Sequence, residues 1–429
     1  MNVSVPASGS SATDAISYED LYARWERSNW QATAIDFTQD AIDWRERLTE
    51  QQRVSALWLY TLFFHGEDAV ADNLSPYIDA APLEEQKYFL ATQQVDEARH
   101  AVFFHRFMHE VAGLGDSGSV ASTLRATGPE ITWGHRKVFS RLDRMAAELR
   151  ADPSLDQLAR AITLYHLVVE ATLAQPGQHI IEQSLERLDV LPGFRAGMRN
   201  VALDEQRHIG FGVKLLADLY RERPAQTQKA IVSVLGETLG WSIVVPKPPN
   251  WDERYFTCWG FTFADIAEEG GRSLEQKLRA IGLPVDDLPG LPMDMSVSVT
   301  ERGRRGIVMA KANYLGEGGP ISRDPEAVEI LFDAIAHSAR GDQLPAGATI
   351  AWDFRDHAPW HVALDGRRAT AHQGLPARRA DATLRCSFED WVNLSAGRLD
   401  ARRLMLTRRL GLRGNPRTLL GLGRVFGVS

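Results

Sequence analysis

Apolar residues recur every three to four positions from residue 20 to about 240, the spacing that keeps one face of a helix against a core. Glycines are few there, and short punctuators such as Asp152-Pro153 and Leu191-Pro192-Gly193 separate the helical runs. The stretch SVLGETLGWSIVVPKPPNW (233–251) interrupts the pattern with a proline-rich turn. Helical spacing resumes in RSLEQKLRAIGLP (272–284), stopped by Gly282 and Pro284. Residues 285 to 325 are rich in Pro, Gly and Asp, with room for one further helix, and GEGGPISRDP (316–325) reads as a linker.

Beyond it the pattern changes. PEAVEILFDAIAHSA (325–339) predicts one amphipathic helix. The runs ATIAWDF (348–354), WHVAL (360–364), RATAH (368–372) and ATLRC (382–386) predict strands, divided by turn residues such as Asp365-Gly366. SFEDWVNLSAG (387–397) predicts a short helix with Ser387 as N-cap and Gly397 at its stop. The expected organisation is a polar leader over 1–19 without fixed structure, a helical unit over 20–285, a connecting segment over 286–325 and an α+β unit over 326–429.

Composition narrows the function. With 429 residues, 44% hydrophobic and 24% charged, the chain is long enough for at least one large core. A net charge of −8 argues against a general nucleic-acid binder. Residues 326–429 hold 15 arginines, no lysine and 11 acids, so the last unit is mildly basic while the rest is acidic. Cys258 and Cys386 stand far apart with no CxxC partner, which fits a reducing compartment and excludes a disulfide scaffold or a thiolate metal site. The first twenty residues lack an apolar signal core, and no run approaches the ~18 apolar residues of a membrane span. A cytoplasmic protein is the expectation.

One charged word appears twice, in VDEARHAVFF (95–104) and LDEQRHIGFG (203–212). Glu97 and His100 share a helix face, as do Glu205 and His208. Stepping from Gln93 through Glu97, His100 and Phe104 to Met108, or from Val201 through Glu205, His208 and Gly212 to Leu215, follows the stripe that points inward. An unpaired carboxylate buried there costs several kcal/mol. Two further apolar faces each carry a glutamate: Tyr60, Phe63, Glu67, Val70, Leu74, and Thr163, His166, Leu167, Glu170, Leu173, Ala174. Asp68 competes with Glu67 for the first position and Glu182 with Glu170 for the third.

One glutamate from each of two helices and a Glu-x-x-His from each of the other two is the ligand set of a dimetal-carboxylate site in a four-helix bundle. Four carboxylates also balance two divalent ions. Oxygen and imidazole donors without thiolate favour iron or manganese over copper or structural zinc. Asp96 and Asp204 suit a supporting role, each accepting the free N–H of the histidine on the opposite helix, with Arg99 and Arg207 holding the aspartates. His166, one turn before Glu170, reads as a core histidine or as an additional group beside the site.

This ordered set resembles the ferritin-like superfamily of dimetal-carboxylate proteins, in the branch related to the ribonucleotide reductase small subunit, over roughly residues 20–285. LYARWERSNWQATAIDFTQDAIDWRERLTEQQR (21–53) resembles the opening segment of that branch. Asp-Glu-x-Arg-His in both copies is similar to bacterial hydrocarbon monooxygenases and acyl-carrier desaturases. In reductase small subunits a radical-storing tyrosine usually follows the first ligand histidine by four residues; here that position is Phe104, which has no O–H to lose. The resemblance implies two iron ions, or a mixed manganese–iron pair, with O₂ as co-substrate. It also implies an external electron donor of the ferredoxin or flavin-reductase kind, since the chain carries no flavin or iron–sulfur motif. A hydrophobic or acyl substrate is expected beside Phe104 and Ala174, to be hydroxylated, desaturated or N-oxygenated. Related bundles commonly form homodimers.

Trp352-Asp353-Phe354, Pro359-Trp360-His361-Val362, Leu364-Asp365-Gly366, Ala380-Asp381-Ala382-Thr383 and Ser387-Phe388-Glu389-Asp390-Trp391 resemble the sterol carrier protein type 2 family, over about 326–429. That resemblance implies a five-stranded sheet and helices around an apolar tunnel. Lipid or acyl binding, dimerisation and a membrane-surface role all remain open for it, and Trp352, Trp360 and Trp391 read as core packing. The alternative for the whole chain is a lipid carrier whose metal bundle is structural or only oxidises itself.

Overall fold

Ser17 starts the first helix: its hydroxyl accepts from the Asp20 N–H while the Asp20 carboxylate accepts from the Ser17 N–H. This capping box satisfies two otherwise orphaned donors, so helix Tyr18–Arg27 begins inside the expected leader. The structure is a computed structural model that describes residues 16–339, 344, 347–366 and 368–425; residues 1–15 of the leader lie outside the described residues.

Four long helices form the bundle. The first, Glu50–Asn73, is capped by Thr49 and Gln52. The second is Glu84–Glu110 and the fourth Pro192–Glu222. The third is composite: α-helical over Leu155–Ile162, π-helical over Thr163–Ala174 and α-helical again over Gln175–Leu188. Glycine lets the third and fourth helices touch, since a Cβ at Gly212 would stand 2.2 Å from the His166 Cβ.

Two apolar clusters fill the bundle. One gathers Leu164, Leu167 and Val168 with Phe211, Leu215 and Leu216. The other is aromatic, with Phe103, Phe104 and Phe107 packed around Phe194. Outer helices Trp133–Ala151, Pro224–Ser242 and Phe263–Ile281 cover the third helix. Phe263–Ile281 begins nine residues before the helical run legible at 272, because Thr262 and Asp265 form its capping box. The further helix allowed for in the connecting segment is Val299–Lys311.

In the C-terminal unit helix Pro325–Ser338 precedes a sheet of order β3-β2-β1-β4-β5. Its strands are β1 Thr349–Phe354, β2 Trp360–Asp365, β3 Arg368–Gln373, β4 Ala382–Cys386 and β5 Gly411–Gly414. β1 and β4 run parallel and the other neighbours antiparallel. β5 was not among the four expected strands, since GLRG has no alternation of its own and is held by pairing with β4. Phe332 stacks on Trp360 at 4.5 Å and meets Trp352 edge-on, and Trp352 meets Trp391, so these tryptophans do pack the core. Among the described residues no helix is long and apolar enough to cross a membrane.

Candidate metal centre

The bundle brings all six candidate ligands into one buried place. Glu67, Glu97, His100 and Glu205 offer atoms within 4.8 Å of one another, and so do Glu97, Glu170 and His208. Glu97 belongs to both groups. His100 Nδ1 lies 3.2 Å from Glu67, 3.5 Å from Glu97 and 3.6 Å from Glu205. His208 Nδ1 lies 3.2 Å from Glu97, 3.6 Å from Glu170 and 3.7 Å from Glu205. The competitors stand apart: Asp68 is half-buried and in neither group, and Glu182 pairs with Arg199.

The other edge of each imidazole is anchored across the bundle. His100 Nε2 donates to Asp204 at 3.1 Å and His208 Nε2 donates to Asp96 at 3.0 Å. Arg99 and Arg207 each bridge both aspartates, so a charge-assisted lattice ties the two repeats together. Two indoles from the opening segment complete it: Trp25 donates to Asp96 and Trp30 to Asp204, each at 2.8 Å. With Nε2 bonded to its aspartate, each ring turns Nδ1 toward carboxylate oxygens, where it meets either a proton or a cation. Electron-rich atoms crowd together in this way where a cation stands between them.

Three buried atoms make the same point, since among the described residues Glu170 Oε2, Glu205 Oε2 and His208 Nδ1 have no hydrogen-bond partner. Leaving such groups bare costs about 1–3 kcal/mol each, more for charged ones. Without a cation the site holds protons instead. Burial pushes Glu67 up to about 8 against the pull of His100. Burial and then Glu205 raise Glu170 well above the usual carboxylate range. For Glu97, burial is outweighed by His208 and His100, which keep it well below that range. The donor set therefore fits two divalent ions, with Glu97 common to both donor groups.

Two site groups went unassigned in the sequence. Tyr165 donates to Glu97 Oε1 at 2.8 Å. Gln93, noted there only as part of the inward stripe, donates to Glu170 at 2.8 Å and accepts from His166 Nε2 at 3.2 Å. His166 thus stands behind the ligands, and burial, then His208, lowers it to about 3. Trp25 and Trp30 had no signal beyond the likeness of their segment.

A cavity of about 850 Å³, mouth included, opens from the carboxylates between the first, third and outer helices. Leu59, Phe63, Val70, Val169, Leu173 and Ile180 make most of its wall apolar, and among the described residues no lysine or arginine lines it. Ala174 is on this wall. Phe104 is not: Phe63 takes the wall position and Phe104 stacks behind it at 5.8 Å.

The family model described as ribonucleotide reductase, small chain, matches residues 14–239, more than half of the chain. The chain belongs to that family. A second model, the SCP-2 sterol transfer family, matches residues 332–427. Among solved structures, the R2-like ligand-binding oxidase from Sulfolobus acidocaldarius is 24% identical, with a TM-score of 0.52 over 66% of this chain and 93% of that one. An R2-like ligand-binding oxidase variant with an anaerobically reconstituted Mn/Fe cofactor is 24% identical, with a TM-score of 0.53 over 61% and 92%. An aerobically reconstituted Mn/Fe variant is 25% identical, with a TM-score of 0.51 over 62% and 92%. This small-chain relative thus shares its helical fold with them and carries an SCP-2 unit besides.

Proposed function

We propose that Glu67, Glu97, His100, Glu170, Glu205 and His208 hold two redox-active ions, an iron pair or a manganese–iron pair, and that the protein is an O₂-dependent oxidase of a hydrophobic or acyl-type substrate. The observation that carries this reading is the set of buried, unpartnered donor atoms on Glu170, Glu205 and His208, all facing the same space. The Mn/Fe cofactors of the oxidases with the same fold support the choice of metals. When bound, such a pair supplies the electrons that reduce O₂.

The chain's own residues set the conditions. Glu97 spans the two halves of the site, with Tyr165 O–H fixing its Oε1. Asp96 and Asp204 hold each histidine in the tautomer that presents Nδ1. The apolar cavity takes the substrate and keeps water from the reacting atoms. Return of electrons would fall to an external donor, and the choice among hydroxylation, desaturation and N-oxygenation to the substrate's seat. The SCP-2 unit would bring or store the hydrophobic partner.

The test is to strip the full chain with a chelator and reload it with Fe(II), alone or with Mn(II). Metal content and O₂ uptake are then measured with and without a fatty acid. Two ions per chain and metal-dependent O₂ consumption are expected. Trace metal uptake would overturn the reading. Full loading with no O₂ chemistry, but with tight fatty-acid binding, would favour the carrier reading that the SCP-2 match supports.

A further inference from the structure

One polar group of the cavity wall has no part in the metal centre. His135, on the first turn of helix Trp133–Ala151, is 4% exposed and lines the cavity. Its Nε2 lies 3.0 Å from the Leu62 carbonyl, which can only accept, so Nε2 carries the hydrogen. Its Nδ1 is then a bare lone pair, and among the described residues it has no hydrogen-bond partner. Phe139 stacks on the ring at 4.1 Å and the Leu62 carbonyl holds its Nε2 edge, so the imidazole cannot easily turn. Burial, the largest effect, lowers its pKa to about 3 and keeps it neutral.

The remaining polar wall groups are already committed. Tyr165 donates to Glu97, Thr172 donates to the Leu167 carbonyl at 2.6 Å, and the glutamates face the metal centre. Leu62 precedes Glu67 by five residues, about 7.5 Å along the helix axis. An acceptor thus stands partway along an apolar chamber.

We propose that His135 is a specificity-determining residue, whose Nδ1 accepts a hydrogen bond from a neutral O–H or N–H carried by an otherwise apolar substrate. This rests on the reading that the cavity is the substrate's seat. The substrate class it selects is a long-chain alcohol or secondary amide, rather than a plain hydrocarbon.

The test uses the metal-loaded full chain and two matched probe pairs, 1-decanol with decyl methyl ether and N-methyldecanamide with N,N-dimethyldecanamide. Each pair differs in the donor hydrogen. Calorimetric titration is expected to show the donor bound about fivefold to tenfold more tightly in each pair. His135→Phe should bring that ratio close to one while leaving ether affinity unchanged. His135→Gln, which keeps a donor for Leu62 and an acceptor for the cavity, should retain a preference. His135→Leu replaces the Phe variant if its melting curve shows misfolding. A preference below about twofold in the unaltered protein, one that survives loss of the imidazole, or no probe binding at all would overturn the inference. Metal content and O₂ uptake measured on the same samples separate the outcomes. Their failure would sink the oxidase reading, whereas intact loading with no donor preference would sink only the role of His135.

Discussion

His100 on the second bundle helix donates to Asp204 on the fourth across 3.1 Å, and His208 on the fourth returns the same bond to Asp96 on the second at 3.0 Å. Each copy of the repeated word therefore orients the ligand of the other copy. Asn in place of Asp204 keeps the shape but removes the charge that holds the Nε2–H tautomer and pairs with Arg99 and Arg207. Metal affinity in Asp204→Asn should fall roughly 10–100-fold. Competition with a graded series of chelators measures it. An unchanged affinity would mean that the cross-bond is structural only.

The two ligand groups share Glu97, whereas Glu170 belongs to one of them. Glu170→Ala should thus lower the bound metal from two ions per chain to one, while Glu97→Ala should leave close to none. Elemental analysis of both variants, each shown by circular dichroism to keep its helices, decides the matter. Equal stoichiometry in the two would remove Glu97 from its central place.

How far the sequence could be read depends on periodicity. The second and fourth helices were legible because Glu-x-x-His, followed on the stripe by Phe104 or Gly212, keeps α-helical spacing. The third was legible only in part. On an α-helix, residues five apart lie roughly 140° around the axis, so α-helical spacing alone sets Tyr165 away from Glu170. The π-helical stretch Thr163–Ala174 widens the turn and brings both to the site. No residue pattern announces that change. Nor could spacing reveal Trp25 and Trp30, whose partners lie 71 and 174 residues away. His135 was hidden for the same reason, its carbonyl partner being 73 residues distant.

Gly212 follows His208 by one turn and faces His166, where an added Cβ would lie 2.2 Å from the ring's own Cβ. The third and fourth helices must part to admit it. Gly212→Ala should cost roughly 1–3 kcal/mol of stability and weaken metal binding as well, because Glu205 and His208 move with the helix. Thermal unfolding with and without metal tests both effects. A variant as stable as the parent would show that the helices have slack at this point.

In the metal-free protein the site binds protons that the unfolded chain gives up. Burial raises Glu67 from its ordinary 4.5 to about 8 and lifts Glu205 too. Although burial opposes it, Glu67 and Asp204 hold His100 protonated well above its usual 6.5. Between these limits the folded state carries more protons than the unfolded one, so stability falls as pH rises from about 4.5 through about 8. Two cations take the place of those protons, and the loaded protein should lose most of that slope. The gap in Tm between loaded and stripped protein should therefore widen from about pH 5 to about pH 8. Glu97, held low by His208 and His100 against its burial, adds an opposite loss only once the pH drops below its ordinary 4.5. A gap that stays constant over the range would show that Glu67, Glu205 and His100 do not exchange protons for metal.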